Sequence, residues 1–231
     1  MSRYKHIFFD LDRTLWDIET NSSQILTELA EDYKIRDRGI PSVDDFISHY
    51  KRINDGLWEQ YHRDEIDKET LRVKRFRDAF QVYGIDDPAL SKAFGDEYVQ
   101  KSPLKNNLLP HTLDVLEYLH PKYHLHIITN GFEEVQGIKM EKSNIRKYFK
   151  EIVTSERSGF KKPDARIFQF TLNLAGAAPE ESIMIGDSLE ADIIGARGAG
   201  IDQVYYNPAK NAHQEKITYE IGSLHELLRF L

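Results

Sequence analysis

Cysteine is absent from this chain of 231 residues. Its absence excludes disulfide bonds, thiolate-bound metal sites and cysteine nucleophiles. A long apolar run is also missing, and no stretch has the length of a helix that crosses a bilayer. The apolar run near the N-terminus stops at Asp10, which is too short for a secretory signal peptide. We therefore expect a cytoplasmic location.

An excess of positive charge is missing as well. Lys and Arg together number 31 against 38 Asp and Glu, and the net charge is −7 at pH 7. Broad affinity for a nucleic-acid polymer needs a basic face, so we expect neither nucleic acid nor a membrane among the partners. A small anionic substrate stays compatible with the composition, because the charge of a site can oppose that of the whole chain. The sequence leaves the oligomeric state open.

Two kinds of hydrophobic pattern divide the chain. From Thr20 to about Gln100, apolar residues recur at spacings of three and four, which is typical of amphipathic helices. The sets are Leu26, Leu29 and Tyr33; Phe46, Tyr50, Ile53 and Leu57; and Val73, Phe76, Phe80 and Tyr83.

After Pro110 the pattern alternates between strand and helix. The predicted strands are His124–Thr129, Glu151–Ser155, Ser182–Asp187 and Asp202–Asn207. The predicted helices are Thr112–Leu119, Glu133–Lys142, Arg166–Ala175 and Leu189–Ala199. Such alternation indicates right-handed crossovers and a parallel sheet, whose first strand is His6–Phe9. We predict an α/β fold: a Rossmann-like doubly wound parallel core (1–16 and 107–231) with an inserted all-helical cap (17–106).

Polar residues stand where four of these strands end, and ligands of a doubly wound sheet bind at that edge. The clusters are Asp10 and Asp12; Thr129, Asn130 and Gly131; Lys162 with Pro163; and Gly186 and Asp187, with Asp192 one turn further on. Any one cluster alone is explained equally well as a turn or a helix cap. Their joint occurrence predicts a single site.

The residue types of this site suit phosphate chemistry. We expect Asp10, Asp12 and Asp187 to crowd together, and Mg²⁺ would offset their repulsion because it prefers carboxylate oxygens and phosphates. Lys162 and the donors around Asn130 would add positive potential for a phosphate. One aspartate can attack phosphorus, and the other can protonate the leaving group and then activate water.

The segments "DLDRT", "TNG", "KP" and "GDSLEAD" resemble the four motifs of the haloacid dehalogenase-like (HAD) superfamily of hydrolases. The resemblance implies that Asp10 is the nucleophile and a metal ligand. It implies that Asp12 is the general acid and base, and that its backbone carbonyl also binds the metal. Lys162 would bridge phosphate and nucleophile, while the adjacent Lys161 is expected in solvent.

The same resemblance assigns the other motif residues. Thr129, Asn130 and the Gly131 amide would bind phosphate. Asp187 would complete the Mg²⁺ site, and Asp192 would support it. The inserted helical block resembles the family's cap, which covers the active site.

A narrower resemblance involves the segments "YKRINDGLWEQY", "RF", "TNGF" and "GDSLEADIIGA". They resemble the pyrimidine 5′-nucleotidases of the YjjG type. This implies a 5′-nucleotidase acting on (deoxy)pyrimidine nucleoside monophosphates, with Trp58, Tyr61 and Arg75 of the cap contacting base or sugar. Packing of Trp58 and Tyr61 inside the cap explains these aromatic residues about as well.

Other functions stay open at this point. The core motifs fit a phosphatase or phosphomutase acting on a sugar phosphate. A 2-haloacid dehalogenase attacks carbon and lacks the second aspartate of the D-x-D pair, so Asp12 argues against it. A non-catalytic binding protein is disfavoured because every motif position is filled. His124 and His126 have the spacing of metal ligands, but their place within a strand favours core packing and solvation at the strand end.

Overall fold

The computed structural model describes residues 3–231. The chain divides into two compact units: one runs to Ile18 and resumes over Asn106–Leu231, and the other is Glu19–Lys105. The second unit therefore interrupts the first shortly after its first strand. The predicted division into a core (1–16 and 107–231) and a cap (17–106) stays a prediction about separate domains.

The inserted unit is built from four long helices. They are α1 Ile18–Asp32, α2 Val43–His62, α3 Lys68–Gln81 and α4 Pro88–Lys101. The last three begin where a short polar side chain accepts a backbone N–H bond three residues further on, which satisfies one of the free donors of the first turn. The capping residues are Ser42, Asp67 and Asp87.

Phenylalanine rings form the centre of this helical unit. The rings of Phe46, Phe76 and Phe80 lie between 5.2 and 5.9 Å from the ring of Phe94 or from one another. The prediction that Val73 belongs to the buried face of α3 is wrong, because this residue is 49% exposed. The helix buries a face centred on Phe76 and Phe80, and Val73 lies at its edge.

The first unit contains a sheet of six parallel strands within residues 3–231. The strands are β1 His6–Phe9, β2 His124–Thr129, β3 Phe149–Thr154, β4 Ser182–Gly186, β5 Asp202–Tyr206 and β6 Tyr219–Ile221. Their order is β3-β2-β1-β4-β5-β6, and β1 pairs in parallel with both β2 and β4. The strand order thus reverses beside β1, which is where ligands bind in doubly wound folds.

Helices connect these strands. They are α5 Thr112–Leu119, α6 Glu133–Lys142, α7 Ser155–Ser158, α8 Ala165–Ala175 and α9 Gly195–Gly198. The predicted helix Leu189–Ala199 is split, because a π-helical turn over Leu189–Ile194 precedes α9. The α/β class with a parallel Rossmann-like core is confirmed.

Both faces of the sheet are covered. Successive side chains of a strand point to opposite faces, so Ile7 and Phe9 share a buried cluster with α5, while Phe8 shares another with Phe168 of α8. The side chains of Ile7, Phe8 and Phe9 are all fully buried, as expected for a central parallel strand. Within residues 3–231, no helix is long and apolar enough to cross a membrane.

Candidate active site

Asp10 and Asp12 lie where β1 ends and the chain turns. The Asp10 N–H still donates to the Ile185 carbonyl at 2.9 Å, which extends the ladder between β1 and β4 by one residue. The turn then closes through a 3.0 Å bond from the Arg13 N–H to the Trp16 carbonyl. Arg13 has φ 63°, in the left-handed region. Because of this turn, the two carboxylates are held by different partners.

Lys162 binds two carboxylates at once. Its Nζ lies 2.6 Å from Asp10 Oδ1 and 2.6 Å from Asp192 Oδ1. The side chains of Lys162, Asp10 and Asp192 are 3%, 10% and 1% exposed. A third bond, of 2.9 Å, goes to the Ile128 carbonyl. All three ammonium protons are therefore used, as a buried cation requires.

The carboxylates of Asp10, Asp187 and Asp192 form one acidic group that could hold a metal ion. One ligand oxygen from each lies within 4.8 Å of the others. Thr14 fixes Asp187 by donating to its Oδ1 at 3.2 Å, and the Ser188 N–H fixes Asp192 at 3.0 Å. The charge of Arg13 also acts on Asp187, and three carboxylates against Lys162 and Arg13 still leave an excess of negative charge. Oxygen donors suit a hard cation such as Mg²⁺.

Burial shifts the pKa values of this group. Burial raises the pKa of Asp10 well above its usual range, despite the opposing charge of Lys162. Burial and the charge of Asp192 raise the pKa of Asp187 to about 7. Burial disfavours the charged form of Lys162, but Asp10 and Asp192 outweigh it and raise the pKa of the lysine. The site would therefore bind additional positive charge favourably.

Asn130 fixes the backbone that carries Lys162. Its Oδ1 accepts the Lys162 N–H at 2.8 Å, and its Nδ2 donates to the Lys162 carbonyl at 2.9 Å. Lys162, and not the neighbouring Lys161, contacts Asp10. The expected phosphate contact of Asn130 stays a prediction, since two of its side-chain groups are engaged with this backbone.

Thr129 ends β2 beside the same site. Its Oγ1 accepts bonds from the Gly131 N–H at 3.1 Å and from Gln136 Nε2 at 2.7 Å. Both hydroxyl lone pairs are thus engaged, which leaves the hydroxyl proton as the group that Thr129 can offer to a ligand. A Cβ at Gly131 would overlap the Gln136 side chain, so any larger residue there would displace the Gln136 amide from Thr129.

The Asp12 carboxylate is bound by α6. Lys139 Nζ lies 2.6 Å from Asp12 Oδ1, and Gln136 Nε2 lies 3.0 Å from Asp12 Oδ2. The sequence predicted that Asp10, Asp12 and Asp187 crowd together, and the structure differs at Asp12. Asp192 is the third carboxylate of the acidic group, because both oxygens of Asp12 face α6.

The structure thus brings most of the predicted core residues to one sheet edge, and it adds partners that the motifs did not indicate. The added residues are Thr14, Gln136 and Lys139. For Gln136 and Lys139, the available signal was two polar residues spaced by three in the predicted helix Glu133–Lys142. Nothing in that spacing says that they face Asp12.

The predicted specificity residues belong to the helical unit. The ring of Trp58 lies perpendicular to that of Tyr61, with the centroids 5.5 Å apart, and Tyr61 is buried. The guanidinium of Arg75 lies 5.1 Å from the Phe76 ring and 5.0 Å from the Tyr98 ring. These residues pack against other side chains of the helical unit, and their contact with a substrate stays a prediction.

A family model described as haloacid dehalogenase-like hydrolase matches residues 4–200. The chain belongs to this family. The resemblance inferred from the four motifs is confirmed, and so is the prediction of an enzyme. The matched segment contains every candidate catalytic, phosphate-binding and metal-binding residue.

Named relatives align with nearly the whole chain. The pyrimidine 5′-nucleotidase PynA of Streptococcus pneumoniae is 32% identical, over 97% of this chain and 94% of its own length. The pyrimidine 5′-nucleotidase YjjG of Escherichia coli is 30% identical, over 99% and 98%. A glyceraldehyde 3-phosphate phosphatase of Methanothermobacter thermautotrophicus is also 30% identical, over 97% and 99%. Relatives at one level of identity therefore bear different substrate names.

A solved structure is similar along the full chain. The HAD-hydrolase YfnB of Bacillus subtilis, crystallised with magnesium, superimposes with a TM-score of 0.89. It is 30% identical, and the match covers 99% of this chain and 98% of that one.

Proposed function

We propose that the protein is a cytoplasmic, Mg²⁺-dependent phosphomonoester hydrolase that works through an aspartyl phosphate on Asp10. The observation that carries the proposal is the buried contact of Asp10 with Lys162, with Asp187 and Asp192 beside it. A nucleophile, a fixed cation and an acidic group meet there at the edge of the sheet where ligands bind.

The donor set fits Mg²⁺. Asp10 and Asp187 would hold the ion with the Asp12 backbone carbonyl, and Asp192 would support them. When bound, the ion supplies positive charge that keeps Asp10 ionised and neutralises the phosphate. The raised pKa values of Asp10 and Asp187 support this, since the carboxylates are short of positive charge without it.

The chain's own residues divide the reaction. An Asp10 oxygen attacks phosphorus while Lys162 and the Thr129 hydroxyl hold phosphate oxygens. The P–O bond to the leaving group breaks, and Asp12 donates a proton to the departing oxygen. Asp12 then takes a proton from the water that attacks the aspartyl phosphate, releasing inorganic phosphate and restoring both aspartates.

For the substrate we propose a pyrimidine nucleoside monophosphate, with preference for the deoxy form. The pyrimidine nucleotidases that align with nearly the full chain support this, including its cap segment. The core groups contact only phosphate and metal, so discrimination needs residues outside them. We assign it to the helical unit, with Trp58, Tyr61 and Arg75 as candidates.

The first experiment is a hydrolysis screen over nucleoside monophosphates and sugar phosphates, with EDTA treatment and Mg²⁺ restoration. We expect pyrimidine deoxynucleotides to be cleaved fastest, EDTA to stop turnover and Mg²⁺ to restore it. Much faster cleavage of sugar phosphates would refute the nucleotidase assignment alone. Full activity in metal-free buffer would refute the Mg²⁺-dependent mechanism.

Trp58→Ala tests the assignment of specificity. Stacking of an aromatic side chain on a base is worth roughly 1–3 kcal/mol, or about 5- to 150-fold in kcat/KM on dTMP. On p-nitrophenyl phosphate the loss should be small. Equal losses on both substrates with a lower Tm would mean that Trp58 only packs the helical unit.

A further inference from the structure

Helix α6 buries two polar side chains. Gln136 is fully buried and Lys139 is 6% exposed, and with Met140 they form the buried part of the helix. A spacing of three places Gln136 and Lys139 on one face. Glutamine and lysine are rarely buried where an apolar residue would serve. Their presence on this face therefore calls for a partner that needs them.

That partner is Asp12. Lys139 binds one carboxylate oxygen at 2.6 Å and Gln136 the other at 3.0 Å. Two donors on separate oxygens fix both the position and the plane of the carboxylate. The Asp12 side chain is itself 23% exposed, and water could satisfy it. Water would therefore suffice to solvate the Asp12 charge. Two buried donors are needed only if the carboxylate must be held in one orientation.

Both donors are themselves held in place. Lys139 Nζ lies 4.4 Å from the ring centroid of buried Trp16, a favourable cation–π distance. Gln136 Nε2 also donates to Thr129 Oγ1 at 2.7 Å. The amide nitrogen is the end that faces Asp12, because an ionised carboxylate only accepts hydrogen bonds. Helix α6 thus couples the end of β2 to the end of β1.

We propose that Lys139 and Gln136 are positioning residues that hold the Asp12 carboxyl group in the orientation from which its protonated form gives a proton to the leaving oxygen and its carboxylate form takes one from water, apart from the acidic group of Asp10, Asp187 and Asp192. The proposal rests on the proposed phosphatase function. It assigns α6 a part in catalysis, although neither side chain is expected to contact substrate.

The test is a double-mutant cycle with Asp12. Lys139→Met and Gln136→Met are each made alone and combined with Asp12→Asn, and kcat/KM is measured on dTMP and on p-nitrophenyl phosphate. Misplacement of a catalytic group by about 1 Å can cost about 10²-fold, so we expect single losses of about 10- to 100-fold on dTMP. The losses on p-nitrophenyl phosphate should be several-fold smaller, because that leaving group needs no proton.

The decisive readout is the cycle itself. If Lys139 acts through Asp12, Lys139→Met should change kcat/KM by less than about 3-fold once Asp12 is Asn, because residues that act as a unit are non-additive. Gln136→Met should also be less than additive with Asp12→Asn, but it keeps any loss that arises through Thr129. Full additivity on dTMP, or equal losses on both esters, would overturn the proposal.

Controls separate the possible failures. Lys142→Met removes an exposed lysine from the same helix and should behave like wild type. Thermal unfolding identifies any variant that does not fold. The Lys139 cycle decides, because Gln136 also bonds Thr129, and Lys139→Gln replaces Lys139→Met if that variant misfolds. A wild-type protein that cleaves no phosphomonoester would refute the proposed function instead.

Discussion

The two edges of the same parallel sheet bury polar groups in opposite ways. At the carboxyl edge, Asp10 and Asp192 stay beside the Lys162 ammonium, with 2.6 Å contacts on both sides. In the amino-terminal half of β1 and β2, here called the amino edge, two buried histidines face each other, with His6 Nδ1 3.1 Å from His126 Nε2. One edge concentrates charge, and the other excludes it.

Burial at the amino edge favours neutral rings. Burial lowers the pKa of His126 to about 3, with further lowering by His6 and His124. Burial also lowers the pKa of His6, with a smaller contribution from His124. The His126 ring stacks on Phe8, with the centroids 4.9 Å apart. His126 serves packing and His124, at the start of β2, is exposed, as the place of the two histidines in this strand predicts.

The comparison teaches that burial alone does not decide whether a group stays charged. Histidine next to histidine has no opposite charge to offset desolvation, so the proton is lost. Carboxylates next to Lys162 gain such an offset, although three of them exceed what one lysine supplies. The edge left with excess charge is the one suited to bind a cation and a substrate.

Asp10→Asn should have the largest effect on activity. An amide cannot attack phosphorus, so we expect a loss on the order of 10⁴-fold or more in kcat, as for other removed nucleophiles. The free energy of unfolding should equal that of wild type or exceed it by up to about 2 kcal/mol, because one repelling carboxylate is gone. Steady-state kinetics and denaturant titration check the two parts. Turnover at wild-type rates would exclude Asp10 as the nucleophile.

Asp12→Asn should have the next largest effect. General acid–base catalysis is worth about 10²–10⁴-fold, and we expect a loss in this range of kcat/KM on dTMP. The loss on p-nitrophenyl phosphate should be smaller, since p-nitrophenolate leaves without a proton. Equal losses in kcat/KM on the two esters would contradict the acid role.

Lys162→Met tests whether the carboxyl edge depends on its own cation. Removing one member of a buried charge pair typically costs 3–5 kcal/mol, and we expect about that loss in free energy of unfolding without added metal. Lys142→Met, at an exposed lysine of α6, is the control and should cost less than about 1 kcal/mol. Similar urea midpoints for the two variants would show that Lys162 does not compensate the acidic group.

The amino edge should show the smallest effect, as a pH dependence. Below pH 6.5 the unfolded chain protonates His126 while the folded chain does not. The contribution of His126 to the free energy of unfolding is therefore fully present above that pH and is lost as the pH drops towards 3. At pH 5 the loss from this group should be about 2 kcal/mol, from 1.5 pH units at 1.36 kcal/mol each.

Urea unfolding of wild type and His126→Gln at pH 7 and pH 5 measures this loss. The substitution should change the difference between the two pH values by about 2 kcal/mol, whereas His120→Gln, at an exposed histidine, should leave that difference as in wild type. An unchanged difference in His126→Gln would show that the ring carries no such cost.

Much of the fold was predictable because long apolar patterns carry it. The bounds predicted for β1, β2, α5 and α6 are those observed. Strand β6 was missed, since three residues at Tyr219–Ile221 are too few to show a period. The division of Leu189–Ala199 was missed too, because a π-helical turn and an α-helix bury similar positions.

The sequence predicted which residues form the site better than it predicted which of them contact each other. The sequence determined by itself that aspartates, Lys162 and Thr129 stand at the carboxyl ends of parallel strands, because strand ends follow from apolar periodicity. Only the tertiary structure decided which carboxylate meets which cation. Asp10 and Asp192 both contact Lys162, whereas Asp12 contacts Lys139. These contacts depend on the turn after β1 and on the rotation of α6 about its axis, which are set by packing between segments more than 120 residues apart in the chain.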